Sequence, residues 1–515
     1  MAEDGPASKP DAFSIARDIV GIGERVYGTG GTTQGNASLR KTISVSAARY
    51  ARAAGALVLG LLTAACGSLF GNAPPPPGTP GHISGFLGAV VADEPRAALI
   101  GRQMLSAGDN AADAAVAVGM ALAVTLPSRV GLGGGGACLA FAAGRDSVNK
   151  GVPEAVLFVP QAAAGGAGAA DRPAAVPMLA RGLYLLHARY GTGDFGRLVS
   201  PAEQLARFGT PASRALVEDL RLVSAPLFAD PQARAVFSVN GAPLQVGQTL
   251  QLPALAATLA TIRVQGVGDF YQGGLAQQIV QGSVLAGGPI SQASLRAGLP
   301  QLAAPIDIGF RNDQVSFLPP PADGGLAAAA AFATLVQNPE AVEQAEARAL
   351  AVAARWREGG GDPQALLSAP LPAGSLAPLP ASTTFLVLDR SGNAVACALT
   401  MDNLFGTGRI VPGMGFLLAA SPASVPPPLL AAAIAWNRPT HSFRAEVGGS
   451  GQEAAPLAAA LAMMNTLRSS QAMGALVPEP GRANVIACSR YLPGESGTCA
   501  WATDPRGFGL ATGGT

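Results

Sequence analysis

The chain has 515 residues, long enough for one large α/β unit or for more than one average domain. Apolar residues make up 49% and charged residues only 13%, against roughly 25% charged in an ordinary soluble protein. The net charge of +1 argues against nucleic acid as a partner, because binding it requires a clustered basic surface. His82, His187 and His441 stand far apart, and no Cys/His spacing suggests a zinc site. No metal or organic cofactor is expected.

In chain order, residues 1–39 are polar and Gly-rich, with no apolar period. Arg40, Lys41, Arg49 and Arg52 then precede the apolar run Ala53 to Ala65, which ends in Leu62-Thr63-Ala64-Ala65-Cys66-Gly67. A basic stretch, a short apolar stretch and small residues before a cut site make a secretory signal. The run's 13 residues are too few to cross about 30 Å of hydrocarbon as a helix. Small residues before Cys66 resemble a bacterial lipobox, in which that thiol carries a lipid anchor, although Thr63 stands where Leu is usual. A plain signal peptide or an uncleaved anchor is the alternative. Pro74 to Pro77 form a stiff spacer. The expected location is the periplasm or cell envelope, with a possible lipid anchor to the membrane. Residues 1–65 are read as extension and signal, and 66–85 as spacer.

Export makes a disulfide between Cys488 and Cys499 plausible, closing the Pro/Gly-rich loop between them. Cys138 and Cys397 lie in apolar strand-like runs and read as buried small hydrophobes.

In the body, Asp109, Asn110 and Asp113 precede Ala114 to Leu126, a segment apolar on every side and therefore predicted as a buried helix. Gly131-Leu132-Gly133-Gly134-Gly135-Gly136 and the strand-like Ala137 to Ala142 follow. Four glycines before a strand imply close backbone approach or left-handed dihedrals. No Lys-Ser/Thr follows, and the next element is a strand, so a phosphate loop is not indicated. Helices are predicted over 176–190, 200–221, 327–334 and 339–355. Gly359-Gly360-Gly361 opens a Pro-rich stretch to Pro380, read as an exposed, flexible linker. Directly after it come strand Thr383–Asp389, turn Arg390–Asn393 and strand Ala394–Thr400, a β-hairpin.

A hydroxyl residue where a loose linker meets an apolar strand fits a nucleophile released by backbone cleavage. Its freed α-amine, with a pKa of about 7.7–8.0, can act as the base, so no histidine is required. Ser382 stands at that place. On the residues alone, the bland reading is a hairpin with polar edges.

The body from about residue 86 to 470 resembles gamma-glutamyltranspeptidase. The motifs, in family order, are Gly108-Asp109-Asn110-Ala111-Ala112-Asp113, Gly131 to Gly136, Val176-Pro177, Tyr190-Gly191, Pro201-Ala202 with Leu205-Ala206-Arg207-Phe208-Gly209, Phe270-Tyr271, Pro319 to Gly325, Val387 to Val395, and Phe405-Gly406-Thr407-Gly408. The resemblance implies an α/β (α+β) fold, the four-layer αββα sandwich of N-terminal nucleophile hydrolases. It also implies self-cleavage into large and small subunits, residues 86–381 and 382–515. The nucleophile position falls on Ser382. Thr383 is the alternative, although a one-residue slip would turn its side chain to the other sheet face. The family's second threonine falls on Thr400, and the oxyanion donors fall on Gly451 and Gln452.

The family's grip on a glutamyl group is largely missing. The carboxylate-binding arginine falls on Val159 and the serine pair on Ala431-Ala432; the amine-binding residues fall on Asp402, Ser421 and Ser424. Hydrogen bonds to charged groups contribute about 1.5–3 kcal/mol each, so losing three or four costs on the order of 10³-fold in discrimination. Arg409 and Arg444 are candidates for a compensating cation. The expected function is an autoprocessing amide hydrolase or acyltransferase acting on small-molecule amides or peptides, with an altered acyl pocket. The alternatives are an acylase for a less charged acyl group and a catalytically silent envelope lipoprotein.

Overall fold

The computed structural model describes residues 75–164, 170–472 and 477–514. Cys66 and the signal region lie outside the described residues. The described residues form one compact unit.

Two antiparallel sheets form its centre. The seven-stranded sheet runs, edge to edge, Gln301–Ala303, Glu154–Phe158, Gly135–Phe141, Ala394–Thr400, Thr383–Asp389, Gly88–Ala92 and Leu510–Gly513. The six-stranded sheet runs Ile306–Phe310, Asp313–Phe317, Ala431–Asn437, Ser442–Ser450, Arg482–Leu492 and Cys499–Thr503. Strand alternation sorts the apolar side chains into three cores. Leu386, Leu388, Ala396 and Ala398 pack between the sheets with Ile434 and Ile486. Phe385, Val387, Val395 and Leu399 face the other way, into a core with the helix Ala111–Thr125. On the far side of the second sheet, Val447 and Val485 pack with helices Asp323–Gln337 and Ala455–Ser469. The result is helix, sheet, sheet, helix, the four-layer sandwich expected.

The regions 86–381 and 382–515 are not separate bodies. Each contributes strands to both sheets, so the second region is threaded through the first. The expected hairpin is present, pairing Thr383 with Leu399 through Leu388 with Ala394. Its turn is held by Asp389, whose Oδ1 accepts from the backbone N–H groups of Ser391 and Asn393. Asp389 Oδ2 also accepts from Ala111 N at the start of the buried helix. All residues of Ala111–Thr125 are buried, as its composition predicted, with Asn110 capping it.

Three expectations need correction. The helix predicted over 200–221 is two helices, Phe195–Phe208 and Arg214–Leu227, broken at Gly209, where φ is +90°. The stretch before Pro380 is exposed for most of its length, but its last residues are not: Leu379 and Pro380 are buried. Cys138 and Cys397 are not independent small hydrophobes. They sit opposite each other in register on neighbouring strands and form a disulfide. The expected pair Cys488–Cys499 is bonded as well.

The glycine run serves close approach. A Cβ on Gly134 would lie 2.4 Å from the Thr400 carbonyl oxygen, and one on Gly136 would lie 2.4 Å from that of Ala398. Gly134→Ala is therefore expected to destabilise the fold by about 1–3 kcal/mol, since the obstacle is backbone that cannot rotate away. A lowered thermal midpoint would register it; an unchanged midpoint would show that the strand end yields freely.

Candidate active site

Ser382 immediately precedes the strand Thr383–Asp389, in the middle of the seven-stranded sheet. It is 2% exposed and lines a cavity of about 420 Å³. Ala381, Leu379, Asn403, Leu404, Gly451 and Gln452 share that wall. The Thr383 side chain does not line it; its Oγ1 donates to Asp93 Oδ2 at 2.7 Å.

Asp93 fixes the strand's start. Oδ2 accepts from Thr383 Oγ1 and from Thr384 N at 3.0 Å, while Oδ1 accepts from Asn484 Nδ2 at 2.8 Å. Asn484 donates to Thr384 Oγ1 at 2.9 Å and accepts from Thr503 Oγ1 at 2.8 Å. Asp93 thus links three strands of the two sheets at the residues that follow Ser382.

Thr400 ends the partner strand. Its hydroxyl donates to the Ala381 carbonyl at 3.3 Å and accepts from Asp402 N at 2.8 Å. In the uncut chain it therefore touches the carbonyl of the peptide bond before Ser382. Gly451 has φ +111° and Gln452 φ +58°, the turn that precedes helix Ala455–Ser469. A helix N-terminus favours developing negative charge nearby. The Gln452 side chain donates to the Leu379 carbonyl at 2.8 Å and so holds the segment before Ser382.

Arg129 lies in the turn after the C-terminal end of the buried helix. Asp219 clamps its guanidinium in two-pronged fashion, at 2.8 Å from Nε and 2.7 Å from Nη2, and also accepts from Ser128 Oγ. Arg129 Nη1 lies 3.4 Å from the Ser382 carbonyl. Burial opposes the charge, but the bonds and charge of Asp219, with Asp93 beyond, outweigh it and hold Arg129 protonated. Arg482 and Arg506 also line the cavity. Both pair with Glu479, and Arg506 pairs with Asp504.

The remaining candidates lie off this cavity. Asp402 is fully buried in a left-handed conformation, with neither carboxylate oxygen hydrogen-bonded. Burial pushes its carboxyl up to about 8, offset only in part by the charge of Arg357. Ser421 and Ser424 build a turn of their own, with the Ser424 hydroxyl donating to the Ser421 carbonyl. Val159 packs against the inter-sheet core, and Ala431 and Ala432 are buried. Arg409 pairs with Asp171 and Asp230, while Arg444 binds the Cys488 carbonyl, so neither supplies a cation beside Ser382. The histidines are structural: His187 pairs with buried Asp113, and His82 and His441 bond backbone carbonyls. Among the described residues, no cluster of potential metal ligands occurs. Sequence reading missed Asp93, Arg129, Asp219 and Asn484, which carry no local motif.

Two stacked antiparallel sheets between two layers of helices are the fold of the N-terminal nucleophile hydrolases. The chain belongs to the gamma-glutamyltranspeptidase family, whose pattern it matches over residues 97–377. It is 30% identical to the glutathione hydrolase proenzyme of Escherichia coli (strain K12) over 426 residues, covering 70% of this chain and 72% of that one. It is 31% identical to the acylase ACY 1 proenzyme of Pseudomonas sp. (strain SE83), over 47% of this chain and 46% of the relative. The fold matches the crystal structure of cephalosporin acylase from Bacillus halodurans with a TM-score of 0.68 at 20% identity, covering 84% of this chain and 96% of that one.

Asp402 gives a signed pH dependence. Its folded pKa of about 8 lies above the ordinary value of about 3.9, so the folded state holds a proton that the unfolded state releases between those limits. Stability therefore falls as pH rises through that window, by up to about 1.4 kcal/mol per unit. Asp402→Asn should remove that slope, so that its thermal midpoint exceeds wild type at pH 8 by more than at pH 5; equal differences at both would contradict it. Arg129→Ala strands the buried Asp219 carboxylate and should cost about 3–5 kcal/mol in denaturant titration, with Arg129→Met/Asp219→Leu costing less than the single change.

Proposed function

We propose that the chain cleaves itself between Ala381 and Ser382, and that freed Ser382 is the nucleophile of an amide hydrolase or acyltransferase. The observation that carries this reading is Ser382 at the cavity wall with the Thr400 hydroxyl bonded to the Ala381 carbonyl. In the cleavage step, Ser382 Oγ attacks that carbonyl carbon while Thr400 polarises its oxygen. The C–N bond breaks, leaving an ester that water hydrolyses. Ser382 then carries a free α-amine, which takes the proton from Oγ as it attacks a substrate amide. Backbone N–H groups of Gly451 and Gln452 stabilise the oxyanion. The leaving amine departs with the proton, and water or an acceptor amine releases the acyl group. The proenzyme designation of the relatives supports the cleavage. The Thr383 side chain, which is bonded to Asp93 and does not itself line the cavity, supports Ser382 over Thr383.

Departure of the Leu379–Ala381 segment opens the cavity toward Thr400 and Asp402. Asp402 is then the group to meet a cationic substituent, with Ser421 and Ser424 as further candidates. An acylase reading for a less charged acyl group is favoured by one observation: each arginine lining the cavity is held by a carboxylate. The two disulfides support an oxidising compartment, and hence export to the periplasm or envelope; the lipid anchor on Cys66 remains part of the proposal.

Intact mass spectrometry with N-terminal sequencing tests the cleavage. Wild type should yield a fragment beginning at Ser382, absent from Ser382→Ala and retained by Thr383→Ala, with Thr400→Ala slowed at least tenfold. The processed enzyme should hydrolyse an uncharged butyryl anilide at least as fast as a γ-glutamyl anilide. A well-folded, uncut wild type would sink the reading and leave the silent scaffold.

A further inference from the structure

Cleavage before Ser382 divides the cysteines unequally. Cys138 lies on the strand Gly135–Phe141, in the first fragment; Cys397 lies on Ala394–Thr400, in the second. They are register partners, separated by 259 positions in sequence, and bonded. Cys488 and Cys499 both follow Ser382, so their bond closes a loop inside one fragment. We propose that Cys138–Cys397 is a covalent tie between the two fragments, so that the processed protein remains one molecule. The proposal rests on the cleavage reading.

The tie sits where separation would do most harm. Seven register pairs, Ala394 with Phe141 through Thr400 with Gly135, join the strand carrying Thr400 to the glycine-rich strand beside it. Once the peptide bond is cut, that ladder and the core around it are non-covalent. The bond turns loss of the second fragment, otherwise a dissociation into separate molecules, into a local opening. Both sulfurs belong to residues with no exposed surface, in the core shared with helix Ala111–Thr125. An oxidant of protein size cannot reach them there. The bond therefore forms during folding, before the sandwich closes and before cleavage. Two thiols give up two protons and two electrons to an accepting disulfide, which leaves as a dithiol.

The test uses the full chain, with free thiols alkylated before denaturation and electrophoresis run with and without reductant. Cleaved wild type should migrate as one full-size species without reductant and as two fragments with it. Cys488→Ala/Cys499→Ala should behave the same, whereas Cys138→Ala/Cys397→Ala should give two fragments under both conditions. Wild-type fragments that separate without reductant would overturn the tie. A second arm uses Ser382→Ala with a specific protease sequence inserted after Gly361 and cut in the native state. Fragments held together there until reduction support the tie even if wild type proves unable to cleave itself. Fragments that part without reductant there refute it. This arm and wild type decide the matter also if the Cys138/Cys397 variant fails to accumulate.

Discussion

Asp93 stands between two sheets and spends both carboxylate oxygens on the start of the central strand. It holds Thr383 through its hydroxyl, Thr384 through its backbone N–H and Asn484 through its amide. None of these contacts involves the peptide bond before Ser382. A strand that must keep its place when the chain before it is cut needs such holds, because a new chain end is otherwise free to fray. With Thr383 pinned to one side, alternation leaves Ser382 on the cavity wall.

The surroundings divide the labour. Thr400 and Gln452 address the segment before Ser382, one through the Ala381 carbonyl and the other through that of Leu379. Arg129, clamped by Asp219, approaches the Ser382 carbonyl from the helical side. That clamp explains why the helices between Phe195 and Leu285 matter to the site: Arg214–Leu227 delivers Asp219. The same pairing offsets the positive charge of Arg129.

Membership of the gamma-glutamyltranspeptidase family leaves the acyl side open, and the altered acyl pocket is part of the proposal. Val159, Ala431 and Ala432 are apolar and packed into cores, so no small rotation turns them into donors. Asp402 keeps a polar group in that neighbourhood, but as a buried, unpartnered acid. Such a group is costly to bury, and Glu446 is buried in the same way without a partner.

The sequence by itself determined what local pattern can carry. The uniformly apolar Ala111–Thr125 had to be buried, the Arg390–Asn393 turn had to return the strand, and the short loop between Cys488 and Cys499 made their pairing legible. The motif order pointed to the family, with Ser382, Thr400 and Gly451 as the proposed site. Tertiary structure alone decided which distant residues meet. Asp93 and Thr383 are 290 positions apart, Arg129 and Asp219 are 90, and Cys138 and Cys397 are 259. Each member of these pairs is locally ordinary: an acid after a strand, an arginine in a turn, a cysteine in an apolar run. Their meaning comes from sheet order, and sheet order is set by packing over the whole chain, to which no short window of sequence has access.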